Sequence, residues 1–116
     1  MIDMQEYWED EMQGLRETVR LNENITFSNH AAKDRMVERN ITLEDLGMAM
    51  LTGAIYEGYN IGEYPHKFNK DPFRTVVGRD FNGELISIGV ALKGKRSFEV
   101  TTIYKGVTDR LKYFFK

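Results

Sequence analysis

The sequence is poor in residues that would mark several common kinds of protein. It has no cysteine, which excludes disulfide bonds, thiolate metal sites and a cysteine nucleophile, and which fits the reducing cytoplasm where we expect the protein. Its 2 histidines show no metal-ligand spacing, so we expect neither a metal nor another cofactor. No P-loop, dinucleotide fingerprint or G-x-S-x-G motif occurs.

Long apolar runs are also missing, so we expect no membrane-spanning helix. The chain begins with MIDMQEYWEDE, which is acidic and therefore not typical of a secretory signal or transit peptide. The 116 residues, 41% hydrophobic and 29% charged, predict a single globular domain over 1–116.

The net charge of −2 conceals an uneven distribution. Residues 1–65 hold 5 Lys/Arg and 13 Asp/Glu, a net charge of −8, whereas residues 66–116 hold 11 and 5, a net charge of +6. This asymmetry fits an internal electrostatic match, an anionic partner for the second half, or chance distribution over solvated faces. In the first case the acidic N-terminal helix would shield the basic half.

Helices are predicted in the first half of the chain. Residues 4–21 carry one apolar stripe at helical spacing, within an acidic N-terminal segment 1–24. Ser28 is a good cap for a helix over 29–39. Thr42, with Asp45 three residues later, is a weaker form of the capping box and begins a further helix that ends near Gly53. We interpret these last two helices as a helical hairpin.

Strands are predicted in the second half. Phe73–Phe81, Glu84–Leu92 and Arg96–Tyr104 form an antiparallel meander with tight turns at Asn82-Gly83 and Lys93-Gly94, and we expect Ala54–Tyr59 to add a fourth strand at one side. Alternation puts one set of side chains beneath the helices: Ile86, Ile88, Val90, Leu92, Phe98, Val100, Thr102 and Tyr104. The other face, with Ser87, Gly89 and Thr101 among its residues, is small, polar and open to a ligand. The predicted fold class is α+β, an N-terminal helix and a helical hairpin on a three- to four-stranded antiparallel sheet.

The run HAAKDRMVERNITLEDL, followed by TGAIY, VVGRD and FEVTTIY, resembles a bacterial family of domains of unknown function with a His-Ala pair and an R-M-x-x-R-x-I-x-x-x-D helical motif. That family is grouped with the RelE-like, BrnT-like and colicin-like toxins, whose fold is that of small metal-independent ribonucleases. The resemblance covers 28–104, the toxin-like core, and leaves out 1–24 and the C-terminal tail 105–116. It implies a RelE/barnase-like fold and site residues at His30, Arg35, Arg39, Thr101 and Tyr104.

The chemistry of these residues leaves alternatives open. Metal-free RNA cleavage needs a base, an acid and positive charge around the phosphate. His30, two residues after the Ser28 cap, is suited to act as base or acid, but it also fits an ordinary surface histidine. Arg35 and Arg39 share a helix face, and they suit either phosphate binding or pairing with nearby carboxylates. On a helical wheel His30 lies on a different face from Arg35. This argues against a compact triad of His30, Arg35 and Arg39.

The strands offer further candidates. Arg74 and Arg79 lie on opposite faces of their strand, so at most one serves the open face, and we expect Arg74 to stabilise the phosphate. Thr101 would position it. Lys93, Lys95 and Arg96 cluster at a turn, where they either bind RNA phosphates or protect the sheet edge. Tyr104 has the parity of the core, with its hydroxyl at the rim.

The resemblance implies a toxin-like, metal-independent ribonuclease or a catalytically weakened relative, with RNA and an antitoxin as partners, and the residues named above are compatible with it. The alternative is a non-enzymatic interaction module that self-associates through the N-terminal helix. A segment of thirteen residues, 60–72, contains both prolines and His66, and it is either part of the site or an unrelated loop.

Overall fold

The computed structural model describes residues 4–21, 25–27, 29–62, 70–94 and 97–115, and it describes the side chains of these ranges except for 4–7, 29–33, 110 and 113. The elements in chain order are α1 (Met4–Leu21), β1 (Ile25–Phe27), α2 (Asn29–Glu38), α3 (Leu43–Thr52), β2 (Ala54–Tyr59), β3 (Phe73–Arg79), β4 (Leu85–Gly94), β5 (Ser97–Lys105), α4 (Asp109–Lys112) and a 3₁₀ helix (Tyr113–Phe115). The fold is α+β, and helix α1 packs on the sheet as predicted.

The sheet is larger than expected and is mixed rather than antiparallel. Its strand order is β1-β5-β4-β3-β2. Strands β2 to β5 form the predicted antiparallel part, but β1 pairs in parallel with β5, with Ile25 opposite Phe98 and Phe27 opposite Val100. The prediction of a three- to four-stranded antiparallel sheet was therefore wrong, because a three-residue segment gains strand geometry from a partner far along the chain.

One face of the sheet carries the hydrophobic core. Helix α1 contributes Met12 and Leu15, 0% and 4% exposed, and α3 contributes Ala49 and Met50, 0% and 1% exposed. The sheet supplies buried side chains from four strands: Ile55, Val76, Ile86, Ile88, Val90, Phe98, Val100 and Ile103. Because the stripe of α1 faces this core, Met12 is not part of an exposed surface for self-association.

Local capping fixes the helical hairpin. Thr42 and Asp45 form a reciprocal capping box: Thr42 Oγ1 accepts from the Asp45 amide at 3.0 Å, and Asp45 Oδ2 accepts from the Thr42 amide at 3.2 Å. Helix α2 ends where Asn40 adopts a left-handed φ of 56° and the Ile41 amide donates to Met36 O at 2.8 Å. This Schellman-like ending turns the chain after Arg39 and directs that side chain toward the sheet.

The two hairpin turns differ from each other. The predicted turn at Asn82-Gly83 is confirmed: the Asp80 amide donates to Glu84 O, and Gly83 has a φ of 80°, which favours glycine. The turn predicted at Lys93-Gly94 was wrong, since β4 continues through Gly94, which pairs with Ser97. The connection is at 95–96, outside the described residues.

The second face of the sheet is covered at one end only. Val77 and Ser87, which pair across β3 and β4, are 2% and 0% exposed, although they point away from the core. Ser87 Oγ donates to Gly106 O at 2.6 Å, and Phe115 lies at one pocket with Val77. Leu111 of α4 is also buried, at 4% exposure. The rest of this face carries the candidate site.

Two β-bulges determine which side chains reach the second face. In β5 the register moves from Val90 opposite Val100 to Gly89 opposite Thr102, so Thr101 is an extra residue. In β2 the register shifts between Ile55 and Glu57. Each extra residue reverses the alternation that follows it. The prediction that Thr102 and Tyr104 face the core was therefore wrong: Ile103 is buried in their place, at 1% exposure.

Candidate functional site

A cleft of about 330 Å³ lies on the second face of the sheet, beside the C-terminal end of α2. Two cations, one carboxylate, two aromatic rings and four threonine hydroxyls are among its lining groups. The lining residues are Arg35, Arg39, Glu57, Phe73, Thr75, Gly89, Thr101, Thr102, Ile103, Tyr104 and Thr108. A cleft with permanent positive charge and several hydrogen-bond donors is suited to an anionic ligand.

The floor of the cleft is a row of paired residues across four strands. Glu57 of β2 is opposite Thr75, Thr75 is opposite Gly89, and Gly89 is opposite Thr102. At about 4.8 Å per strand, the row extends about 14 Å from Glu57 to Thr102. Gly89 has no side chain, so a depression lies between the two polar ends of the row.

Arg35 and Arg39 form the positive wall of the cleft. Arg39 Nη1 donates to Ile103 O at 2.6 Å, and its guanidinium carbon lies 6.0 Å from the centre of the Tyr104 ring. Arg35 is exposed. In the described part of the chain, neither guanidinium has a carboxylate within ion-pair distance, in contrast to Arg16 and Arg74. Of the two alternatives for these arginines, pairing with neighbouring carboxylates is thus not observed among those residues.

Thr101 and Tyr104 lie on the same cleft as the two arginines. Thr101, the extra residue of the β5 bulge, donates from Oγ1 to Gly89 O at 3.1 Å. Tyr104 reaches the cleft because the bulge reverses the strand's alternation before it. Four residues predicted from the sequence, Arg35, Arg39, Thr101 and Tyr104, are therefore brought together by the fold.

Glu57 was not predicted from the sequence. Strict alternation from the buried Ile55 would turn Glu57 toward the core, but the bulge between them turns it to the cleft. Thr75 Oγ1 donates to Glu57 Oε1 at 3.1 Å, which helps to fix the carboxylate. A lone acid in an otherwise apolar strand was the available sequence signal. Phe73, Thr75, Thr102 and Thr108 were also missed.

Arg74 lies on the other face of the sheet, away from the cleft. Its Nε and Nη2 donate to the two carboxylate oxygens of Glu11 in α1, at 2.7 and 3.2 Å, and Nη1 donates to Tyr59 O and Phe73 O. The Arg74 side chain is only 4% exposed. Because its donors are used within the fold, we give Arg74 no part in the cleft.

The remaining predicted residues are not placed in the cleft. His30 lies in the first turn of α2, but its side chain is among those left undescribed. Lys93 is exposed and donates to Asp71 Oδ2 at 2.6 Å, and this hydrogen bond raises the pKa of Lys93. Lys95, Arg96 and His66 lie outside the described residues.

One hydroxyl of the cleft has unused hydrogen-bonding capacity. Thr108 Oγ1 is buried and has no hydrogen-bond partner among the residues that the structure describes. A buried hydroxyl without a partner is costly, and a ligand or water in the cleft would satisfy it. Within the same residues, no group of three or more His, Asp or Glu side chains could hold a metal ion.

The comparison with protein families identifies the chain. Residues 27–105 match the family described as Domain of unknown function (DUF4258). The chain belongs to the DUF4258 family. This confirms the resemblance to a family of domains of unknown function at that level. No curated protein and no solved structure matches the chain. None of the helices in the described ranges has the length and apolar character needed to cross a bilayer.

Proposed function

We propose that this DUF4258 protein binds RNA in the cleft and is a toxin-like ribonuclease, or a catalytically weakened relative, of the RelE-like, BrnT-like and colicin-like type. The observation that carries the proposal is the pair of arginines, Arg35 and Arg39, at one wall of a hydroxyl-lined cleft. No carboxylate among the described residues neutralises either guanidinium, so both are available to a phosphate.

The two arginines are suited to different tasks. Arg39 is held by Ile103 O and lies against Tyr104, so its position is fixed before a ligand arrives. Arg35 is exposed, and it can adjust to a phosphate that Arg39 has located. One fixed and one mobile cation bind a flexible, single-stranded polyanion with little reorganisation of the protein.

The fold agrees with this proposal at a coarse level. In an α+β domain whose helices α1 and α3 pack on one face of the sheet, part of the other face is left for a ligand, as in the RelE/barnase-like fold we propose. His30 would add a titratable group to the two arginines. It lies near the start of α2, at a helix N-terminus where backbone amides favour anions.

The test is RNA affinity as a function of salt, measured by fluorescence anisotropy with an unstructured RNA oligonucleotide. We expect Arg35→Ala to weaken binding about tenfold, since a hydrogen bond to a charged group contributes about 1.5 kcal/mol or more. The slope of log affinity against log salt should fall by about 0.7, the value for one phosphate contact on a single strand.

Arg20→Ala is the matched control, because Arg20 is an exposed arginine in the last turn of α1. Equal effects of the two substitutions would contradict a specific role for the cleft. A protein that forms a salt-insensitive dimer and ignores RNA would contradict the proposal altogether and would support the non-enzymatic interaction module.

A further inference from the structure

A second depression adjoins the cleft at the edge of strand β5. It has a volume of about 510 Å³, and its described lining residues are Arg39, Tyr104 and Lys105. We call it the edge depression. Arg39 and Tyr104 also line the cleft, so this pair forms the common boundary of the two spaces. A ligand that leaves the cleft past Arg39 and Tyr104 therefore enters the edge depression.

The edge depression exists because β1 covers only part of β5. β1 pairs with residues 98–100, and in the described part of the chain no strand pairs with the outer edge of residues 101–105. Arg39 Nη1 instead donates to Ile103 O at 2.6 Å, and its guanidinium carbon lies 6.0 Å from the centre of the Tyr104 ring. Tyr104 and Lys105 follow Ile103 directly in β5. The three lining residues are thus joined to one another by contacts and by the backbone.

Lys105 adds a third cation next to the two arginines of the cleft. Its side chain is 41% exposed, its Nζ lies 3.7 Å from Glu84 Oε2, and it also interacts with the charge of Asp45. Ion pairs between exposed side chains contribute little free energy, so a phosphate in the edge depression can compete with Glu84 for the ammonium group. Arg35, Arg39 and Lys105 then offer positive charge along both spaces.

We propose that a single strand of RNA runs from the cleft over Arg39 and Tyr104 into the edge depression, with one unpaired base against the Tyr104 ring and a neighbouring phosphate at Lys105. This inference rests on the proposed RNA-binding function and adds a substrate class to it. The bases of a duplex are paired inside the helix and cannot reach the ring. The substrate is therefore unpaired RNA that is long enough to occupy both spaces.

Tyr104 is suited to take up a base. Its ring borders both spaces, so a strand that crosses their boundary passes the ring. Aromatic side chains stack on every kind of base, which gives affinity for single strands with little sequence preference. Since Arg39 lies beside the same ring, a base and a nearby phosphate of one strand can be bound by neighbouring side chains.

The path through the edge depression is tested with Lys105→Ala in the full chain, by fluorescence anisotropy on labelled octauridylate. We expect affinity to fall about fourfold at 0.15 M salt, and the slope of log affinity against log salt to fall by about 0.7, as for one phosphate contact on a single strand. Glu84→Gln removes the competing carboxylate and should tighten binding about twofold, a gain that misfolding cannot produce. The dinucleotide UpU has one phosphate, which the cleft alone can hold, so its affinity in an NMR titration should be the same for Lys105→Ala and the wild type.

Lys112→Ala is the matched control, because Lys112 is also an exposed lysine paired with a carboxylate, 2.9 Å from Asp109, and lines neither space. A loss of octauridylate affinity no greater in Lys105→Ala than in Lys112→Ala would overturn the path through the edge depression. Equal losses of Lys105→Ala on UpU and octauridylate would overturn it as well.

The role of the ring is tested with an abasic octamer, which keeps the ribose-phosphate backbone and lacks the bases. Tyr104→Leu should weaken octauridylate binding about tenfold, within the range for one stacked base, while Tyr104→Phe should bind like the wild type. Neither substitution should change the affinity for the abasic octamer. Equal losses of Tyr104→Leu on both octamers would show that the ring only holds Arg39 in place, and would overturn the stacking. These negative results would leave the Arg35→Ala effect intact, whereas absence of that effect would contradict the proposed function itself.

Discussion

At the scale of single residues, Gly89 determines the depth of the cleft. A Cβ atom at this position would lie 2.6 Å from Phe73 Cζ and would overlap Thr102 Oγ1. The Phe73 ring and the Thr102 hydroxyl therefore approach the β4 backbone only because position 89 has no side chain. Gly47 in α3 is different, since a Cβ there would meet no atom within 4 Å.

We expect Gly89→Ala to destabilise the protein by about 1–3 kcal/mol, because an added methyl group must displace a ring and a hydroxyl in a packed site. RNA affinity should fall as well, since the displaced side chains line the cleft. Gly47→Ala should instead stabilise the protein by about 0.5–1 kcal/mol, the usual gain from removing a glycine inside a helix. Urea denaturation measures both changes, and equal stability of the two variants would contradict the close contact at Gly89.

Residue type and alternation predicted the side of the sheet for some residues and not for others. Arg74 and Arg79 were correctly placed on opposite faces, because no bulge separates them in β3. The prediction that Arg74 belongs to the site was nevertheless wrong, because its guanidinium donates to Glu11, a residue 63 positions earlier in the chain. Long-range pairing of this kind has no local signal.

At the scale of elements, regular periodicity and capping were predictable, whereas irregular strand geometry was not. The α1 stripe, the capping box and the hairpin at Asn82-Gly83 depend on neighbouring residues, and all three are present in the structure. The bulges in β2 and β5 depend on pairing with distant strands, and they reverse the faces of Glu57 and Tyr104. The cleft was hence only partly predictable: the arginines of its helical wall and the places of Gly89 and Thr101 on the open face were predicted, whereas Glu57, Thr75 and Thr102 were not.

The capping box makes the stability of α3 depend on pH. A backbone hydrogen bond from Thr42, followed by one from Phe81, lowers the pKa of Asp45. Its stabilisation is therefore present above the pKa of an unfolded aspartate, about 3.9, and is lost as the pH falls through the lower pKa of the folded state. The difference in melting temperature between wild type and Asp45→Asn should shrink over that acidic interval, and a constant difference from pH 6 to pH 2 would contradict the linkage.

The Thr42 hydroxyl of the same capping box should also stabilise the protein, and its contribution should not depend on pH near neutrality. Thr42→Ala should cost about 1 kcal/mol, as is usual for loss of an N-cap side chain. Thr52→Ala is the matched control, because Thr52 is an exposed residue at the other end of α3 whose hydroxyl donates to Met48 O. Urea denaturation at neutral pH should show a loss for Thr42→Ala only, and losses of equal size would exclude a special contribution from the cap.

At the scale of the whole molecule, the sheet separates the acidic helix from the arginine wall. Helix α1 packs on the core face, and Arg35 and Arg39 reach the opposite face. Helix α1 lies against the core face, and none of its described residues lines the cleft. Helix α1 therefore does not cover the arginine wall, although its Glu11 pairs with Arg74 of the basic second half.

Substitutions in the buried ion pair between Glu11 and Arg74 can distinguish a structural role of α1 from a role in shielding the cleft. We expect Glu11→Gln to destabilise the protein by about 2–3 kcal/mol, somewhat less than for a fully buried pair because the Glu11 side chain is 15% exposed. The double variant Glu11→Leu/Arg74→Met should recover most of this loss, since it leaves no unpaired buried charge. RNA affinity, measured by anisotropy below the unfolding transition, should match the wild type in both variants. An affinity that rises as α1 is loosened would show that the helix shields the cleft after all.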